Sequence, residues 1–267
     1  MKIAIIIGDK KRYNLKGDIT TETLEKQFEI VRPEEAELIV ILGGDGSILH
    51  VCSEYNSLGI PFYGINRGHI GFLLNEHPAD EPNFENIFKQ AKYFEFRLLK
   101  GVLEFENGSM KTIYAFNEIS VEKMRGQAIK LEIQINGEPG LGYNDKNEQQ
   151  LFCGNGMLVC TPQGSTAYNF NAGGVIMGPN DNLYQMTPIV PVFPLGTRTK
   201  VLDSGFKVEM TLVEPTKRKS IVVADNSEFD NVVKLTIEES PKSVKLGFDG
   251  LNSYYHKVAK KQNPWMK

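Results

Sequence analysis

The run Leu38-Ile39-Val40-Ile41-Leu42-Gly43-Gly44-Asp45-Gly46-Ser47-Ile48-Leu49-His50 carries the strongest signal in this chain. It opens as unbroken aliphatic residues with no alternation. That texture suits a strand buried on both faces, as in a parallel sheet covered by helices. It then breaks into glycines around one carboxylate, followed by Ser47 and an apolar helical run. Glycines at a strand-to-helix turn allow positive φ and a close backbone approach to a ligand. Amides at the start of the following helix favour an anion such as phosphate. Asp45 would stand there as a lone carboxylate, able to hold a cation or take a proton from a hydroxyl. A tight turn in which Asp45 merely caps the helix explains the same residues equally well.

The flanking sequence repeats the pattern. Residues 2–7 form an apolar run ending at Gly8-Asp9, read as a first core strand rather than a signal peptide. Residues 20–28 read as a helix, 32–35 as a turn, 59–65 as another strand and 83–92 as a helix. Strands alternating with helices indicate an α/β domain with a parallel sheet over residues 1–93. The chain lacks GxGxxG after its first strand and GxxxxGK[ST] throughout, which disfavours an ordinary dinucleotide fold and a P-loop.

Composition sets the outer bounds. A chain of 267 residues, 41% hydrophobic and 24% charged, has the make-up of a globular protein with room for two domains. Its net charge of −3 argues against a nucleic-acid partner. No stretch approaches the ~18 apolar residues of a membrane helix, so no membrane partner is expected. Three cysteines, Cys52, Cys153 and Cys160, lack CxxC spacing, which suits a reducing cytoplasm and no resident metal.

Near Phe94 the texture changes. Short β-prone runs occupy residues 98–105, 112–116, 119–123, 129–135, 157–160, 206–213, 220–224, 232–237 and 244–248. Asn107-Gly108 and Asn136-Gly137 between such runs are hairpin signals. Residues 94–250 are therefore expected to form a mostly antiparallel, two-layered β domain. The tail, 251–267, is read as a segment packing back on the first domain, with a frayed basic end as the alternative.

Two motifs sit in the β domain. Phe116-Asn117-Glu118-Ile119 places an amide and a carboxylate between apolar runs. Alone it reads more readily as a polar turn, although the pair can hydrogen-bond a base and ribose hydroxyls. In 153–169, a strand from Met157 ends at Thr161-Pro162, Gly164 turns the chain, and Ser165-Thr166-Ala167 open a helix before Tyr168. Small hydroxyl side chains and helix-start amides would form a docking surface for a planar polar ligand, with Tyr168 against its ring. The simpler reading is a Ser-capped helix.

The set GGDG, NRGHIGFL, NE and TPQGSTAY, in this order, resembles the NAD kinase family over nearly the whole chain. GGDG alone is shared with diacylglycerol and sphingosine kinases; GSTAY after TPQ is more discriminating. The resemblance implies transfer of the terminal phosphoryl group of ATP, or in some bacteria of polyphosphate, to the adenosine 2′-hydroxyl of NAD, giving NADP. It implies an N-terminal α/β domain, a C-terminal β domain with NAD between them, and a last segment returning to the first. It also implies a divalent metal, Mg²⁺, carried with ATP, and a homodimer or homotetramer. By motif, Asp45 is the proton acceptor, with Gly44 and Gly46 beside it. Asn117, Glu118 and Asn155 bind the nucleotide. Thr161, Ser165, Thr166, Ala167, Tyr168 and Asn171 line the pocket, Val190 supplies a backbone contact, and Asp225 lies near the phosphoryl-transfer region.

The chain departs from the family pattern at Asn155, where GDG is usual, at Asn226, where Asp225 is often followed by glycine, and at Cys153, where a cation is common. A lipid kinase would leave TPQGSTAY unexplained. A non-catalytic nucleotide sensor rests on Asn155 and Asn226 alone. His50 and His69 are read as surface or packing residues before phosphate ligands.

Overall fold

The computed structural model describes residues 1–8, 19–68, 71–77, 82–144, 150–178, 180–249 and 259. His69 and the tail, apart from Ala259, lie outside the described residues. The chain divides into two compact units, Met1–Phe96 with Lys242–Lys267, and Arg97–Pro241.

The first unit is α/β. Its elements are β1 (Lys2–Ile7), α1 (Thr20–Gln27), β2 (Glu29–Ile30), β3 (Leu38–Gly43), α2 (Asp45–Tyr55), β4 (Phe62–Asn66) and α3 (Phe84–Gln90). β3 is buried at every position, as its unbroken aliphatic run requires. β1 and β4 flank it in parallel, Ile3 opposite Leu38 and Ile39 opposite Phe62. β2 extends the sheet beyond β1. Beyond β4, Leu246 and Gly247 of the last strand pair in parallel with Phe62 and Tyr63.

Helices cover this sheet through spaced apolar faces. α1 buries Thr20, Thr23 and Leu24, one face of a helix. Asn83 caps α3 by accepting from the Asn86 N–H at 3.0 Å. The same helix buries Phe84 and Phe88, four residues apart. Phe88 stacks on Phe28 at 5.4 Å and meets the edge of Tyr63 at 4.9 Å, closing the core with Ile3, Leu24 and Val40.

The regular elements of the second unit are nearly all strands. The order continues as β5 (Lys92–Phe105), β6 (Met110–Ala115), β7 (Glu118–Lys123), β8 (Ile129–Ile135), β9 (Glu138–Pro139), β10 (Tyr143–Asn144) and β11 (Gln150–Cys160). After α4 (Tyr168–Asn171) come β12 (Leu183–Phe193), β13 (Lys200–Asp203), β14 (Lys207–Val213), β15 (Ser220–Ala224), β16 (Ser227–Asp230) and β17 (Val232–Phe248). The pairings of β11 with β7, β8 and β12 are antiparallel, as are β7–β15 and β8–β14. Their inward residues, among them Leu131, Val159, Met186, Met210 and Leu235, form one core. The Asn-Gly signal at β8–β9 is a tight hairpin: Asn136 and Gly137 both take positive φ, 55° and 83°, as a type I′ turn requires.

Several strands differ from the sequence expectation, three of them in ways that bear on the site. β11 begins at Gln150 rather than Met157, so Gly154-Asn155-Gly156 lies inside a strand, with a register shift at Cys153/Gly154. Residues 232–237 and 244–248 are one strand, β17, running through Pro241. β12 was hidden by Pro188 and Pro191, which depress strand propensity. From Lys242 the chain belongs to the first unit, although the β domain was expected to run to 250.

Candidate active site

Asp45 is the first residue of α2. Two expectations for this turn are corrected. Gly44 is extended, at φ −122° and ψ −177°, and the described left-handed glycines lie elsewhere, at Gly59 and Gly108 among others. Nor does Asp45 cap its own helix, since no side chain does. Instead Oδ2 accepts from the Phe72 N–H at 3.1 Å and Oδ1 from the Leu73 N–H at 2.9 Å. Both oxygens are thus held by successive amides of the NRGHIGFL stretch. That stretch is tied down at its start, where the Arg67 N–H donates to the Gly43 carbonyl at 2.7 Å and the Gly68 N–H to Asn66 Oδ1 at 2.9 Å. His50 is exposed and faces Glu54 one turn on, at 3.5 Å.

In the second unit the NE and TPQG stretches interlock. The Thr161 N–H donates to the Asn117 carbonyl at 2.9 Å. Thr161 Oγ1 and Gln163 Nε2 donate to the Phe116 carbonyl at 2.7 and 2.8 Å. A Cβ on Gly164 would lie 2.1 Å from the Asn117 carbonyl oxygen, so this glycine is demanded by close approach.

From the other side comes Asp225. Its carboxylate accepts from the amides of Phe116 at 2.7 Å, Asn117 at 2.8 Å and Glu118 at 3.4 Å. Its own N–H donates to the Glu118 carbonyl at 3.1 Å, with φ at 50°. Burial pushes the Asp225 carboxyl up to about 6, while the three backbone amides pull it down. The backbone of the NE turn is therefore engaged on both sides, and the half-buried side chains of Asn117 and Glu118 are what it presents.

The hydroxyl residues do not form the docking surface expected of them. Ser165 is fully buried; its Oγ donates to the Pro162 carbonyl at 2.5 Å and accepts from the Met177 N–H at 2.9 Å. Thr166 Oγ1 donates to the Gln163 carbonyl at 3.2 Å. Gln163–Thr166 is a 3₁₀ turn, and Ala167, at φ −93° and ψ −128°, separates it from α4. Ala167 and Tyr168 are half-buried and Asn171 is exposed.

Asn155 and Val190 come together. They lie between the register pairs Gly154–Pro191 and Gly156–Ile189 of β11 and β12. Val190 is 63% exposed with φ at 43°. Gly156 is fixed by packing, since a Cβ there would meet the Val121 carbonyl at 2.4 Å.

Sequence reasoning missed two residues. Gln163 is buried and also donates to the Arg97 carbonyl at 2.8 Å. Glu122 accepts from the Tyr168 hydroxyl at 3.3 Å and from Ser120 Oγ at 2.6 Å. Gln163 lay inside a quoted motif and was visible; Glu122 carried no sequence signal.

The first unit holds a fixed carboxylate at a helix head and the second a braced Asn–Glu pair, groups compatible with a kinase class. Comparison with known proteins narrows this class. Residues 6–94 match the family model described as the ATP-NAD kinase N-terminal domain, and 116–250 match the ATP-NAD kinase C-terminal domain. The NAD kinase of Rickettsia rickettsii is 34% identical over 263 residues, 98% of this chain and 97% of its own. That of Rickettsia bellii is 31% identical over 262 residues, with the same shares of the two chains covered. A crystal structure of an NAD kinase from Archaeoglobus fulgidus in complex with ATP superposes with a TM-score of 0.75 at 26% identity, covering 97% of this chain and 99% of that one. Yeast NADH kinase complexed with NADH shares the fold, with a TM-score of 0.80 at 20% identity over 100% of this chain and 89% of that one. The chain belongs to the NAD kinase family.

Proposed function

We propose that the chain phosphorylates NAD to NADP with ATP, and that Asp45 accepts the proton of the adenosine 2′-hydroxyl. The observation that carries this reading is the Asp45 carboxylate, whose plane is fixed through both oxygens by the Phe72 and Leu73 amides. Phosphoryl transfer leaves little covalent work for a protein; it depends on alignment and on offsetting charge. A fixed acceptor supplies alignment, and proton transfer to it is worth about 10² to 10⁴ in rate.

Transfer from ATP uses a divalent cation on its phosphates, here taken as Mg²⁺. In this reading Mg²⁺ arrives as part of the MgATP substrate. In the second unit the proposed contacts with the dinucleotide come from Asn117, Glu118, Asn155, Ala167, Tyr168, Asn171 and Val190. Thr161, Ser165, Thr166 and Asp225 hold those residues in place.

A homo-oligomer in the cytoplasm completes the reading. Val190, Val192, Phe193 and Leu195 are exposed in a row, Leu195 at 84%, next to Asn155. An apolar run of this kind suits burial against a second copy of the chain. The molecular mass in solution tests that part. Among the described residues no helix is long and apolar enough to cross a membrane, and the three cysteines are free thiols.

The test is NADP formation by the purified chain from NAD with MgATP, with NADH and polyphosphate as separate arms. Asp45→Asn keeps the shape and loses proton affinity. It should lower kcat by about 10² or more with NAD binding little changed. Near-normal turnover in the folded variant would remove Asp45 from the mechanism.

A further inference from the structure

The segment that holds Asp45 is itself held by the last strand. Two residues beyond Leu73 stands Asn75, which is 2% exposed. Its backbone makes a two-way link with β4: its N–H donates to the Gly64 carbonyl at 2.7 Å, and its carbonyl accepts from the Asn66 N–H at 2.8 Å. Its side chain reaches further. Nδ2 donates to the carbonyls of Gly64 at 3.1 Å and Gly247 at 2.9 Å, and Oδ1 accepts from the Asp249 N–H at 3.2 Å. Both amide protons and the carbonyl oxygen are engaged. Only asparagine and glutamine offer that combination, and an extra methylene in so closed a place forces a shift of its neighbours. His77 adds a second tie, with Nε2 2.8 Å from the Tyr63 hydroxyl and 3.3 Å from Asp249 Oδ2.

We infer that Asn75 is a positioning residue for phosphoryl transfer: through the amides of Phe72 and Leu73 it sets the orientation of the Asp45 carboxylate. This rests on Asp45 being the proton acceptor. The chain from Leu73 to Asn75 spans at most about 7 Å, so the amides cannot move far while Asn75 stays anchored. The backbone bonds tie Asn75 to β4 alone. The side-chain bonds to Gly247 and Asp249 add a second anchor, which stops the segment from pivoting about the β4 edge. A small tilt of the acceptor matters, because misplacement by about 1 Å is enough to cost on the order of 10² in rate.

The test uses the full chain with NAD and MgATP. Asn75→Ala and Asn75→Asp are each made alone and in the Asp45→Asn background. Asn75→Asp keeps the shape and Oδ1 but loses both donors, and it carries the test if Asn75→Ala does not fold. Alone, either change should lower kcat about tenfold or more with both KM values within about threefold. In the Asp45→Asn background it should change kcat by less than about twofold, because a residue acting only through Asp45 has nothing left to act on. A merely structural residue would cost the same factor in both backgrounds, and that result overturns the inference. So does an Asn75→Ala protein with native kcat beside an inactive Asp45→Asn. Native kcat in Asp45→Asn itself overturns the proton-acceptor reading, and the single variant tells the two failures apart.

Discussion

Replacing Asp225 with asparagine sets two properties of one carboxyl against each other. Its bonds to the Phe116 and Asn117 amides, at 2.7 and 2.8 Å, are the two short ones of three. Bonds to a charged acceptor are worth about 1.5 to 3 kcal/mol each. Burial opposes them and wins, taking the carboxyl from its ordinary 3.8 up to about 6. That displacement corresponds to about 3 kcal/mol against the ionised form. An acid whose folded pKa exceeds its unfolded one binds protons more readily when folded. Its favourable contribution is complete below 3.8 and is lost as pH rises through about 6. At pH 8 the ionised carboxyl therefore costs up to about 3 kcal/mol, and a neutral isostere recovers part of it. At about 2 to 4 °C per kcal/mol, Asp225→Asn should melt several degrees higher than the native chain at pH 8. The two proteins should converge below about pH 4, where both groups are neutral. Asparagine has one acceptor oxygen, and its NH₂ would meet a backbone N–H. The NE turn therefore loosens, and KM for NAD should rise about fivefold, the equivalent of one hydrogen bond of about 1 kcal/mol. Calorimetry from pH 4 to pH 8 and steady-state kinetics measure both. A variant that melts below the native chain at pH 8 would show that the amide bonds outweigh burial and refute the reasoning.

Truncating Tyr168 to alanine should mainly raise KM for NAD, because in the proposed reading its ring packs on a part of the dinucleotide that does not react; a large fall in kcat at unchanged KM would contradict this. Asn155→Asp should change KM for NAD by less than about tenfold, since a stronger charge-assisted bond is offset by repulsion from an anionic ligand. A native chain that makes no NADP, with activity appearing only in Asn155→Asp, would move the protein to the sensor reading.

The first unit was legible because its signals are local. β3 announces burial on both faces through composition alone, and GGDG marks the strand-to-helix turn. The Asn136-Gly137 hairpin was equally plain, because its φ values need those residue types. What stayed hidden depends on distant partners. Nothing near Ser165 reveals that its hydroxyl turns inward to Pro162 and Met177. Asp225 shows no sequence sign of facing three amides of another turn. β12 escaped notice because propensity counts Pro188 and Pro191 against a strand, whereas neighbours on both sides, β11 and β13, hold it in the sheet.

The amides of the NE turn find their carboxylate 109 residues later in the chain, and Asn75 meets the Gly247 carbonyl 172 residues on. Closing loops of that length adds little to the free energy of the finished fold, because the entropic cost grows only with the logarithm of length. It matters far more for when the enzyme becomes competent. On a ribosome, Asn75 and the NE turn emerge well before Gly247 and Asp225, the residues that brace them, and long-range pairings form slowly. Competence is therefore a late event in biosynthesis. A fragment released early by interrupted translation, or clipped from its C-terminal side, carries Asp45, Asn117 and Glu118 but lacks the Gly247 carbonyl that anchors Asn75 and the Asp225 carboxylate that holds the NE turn.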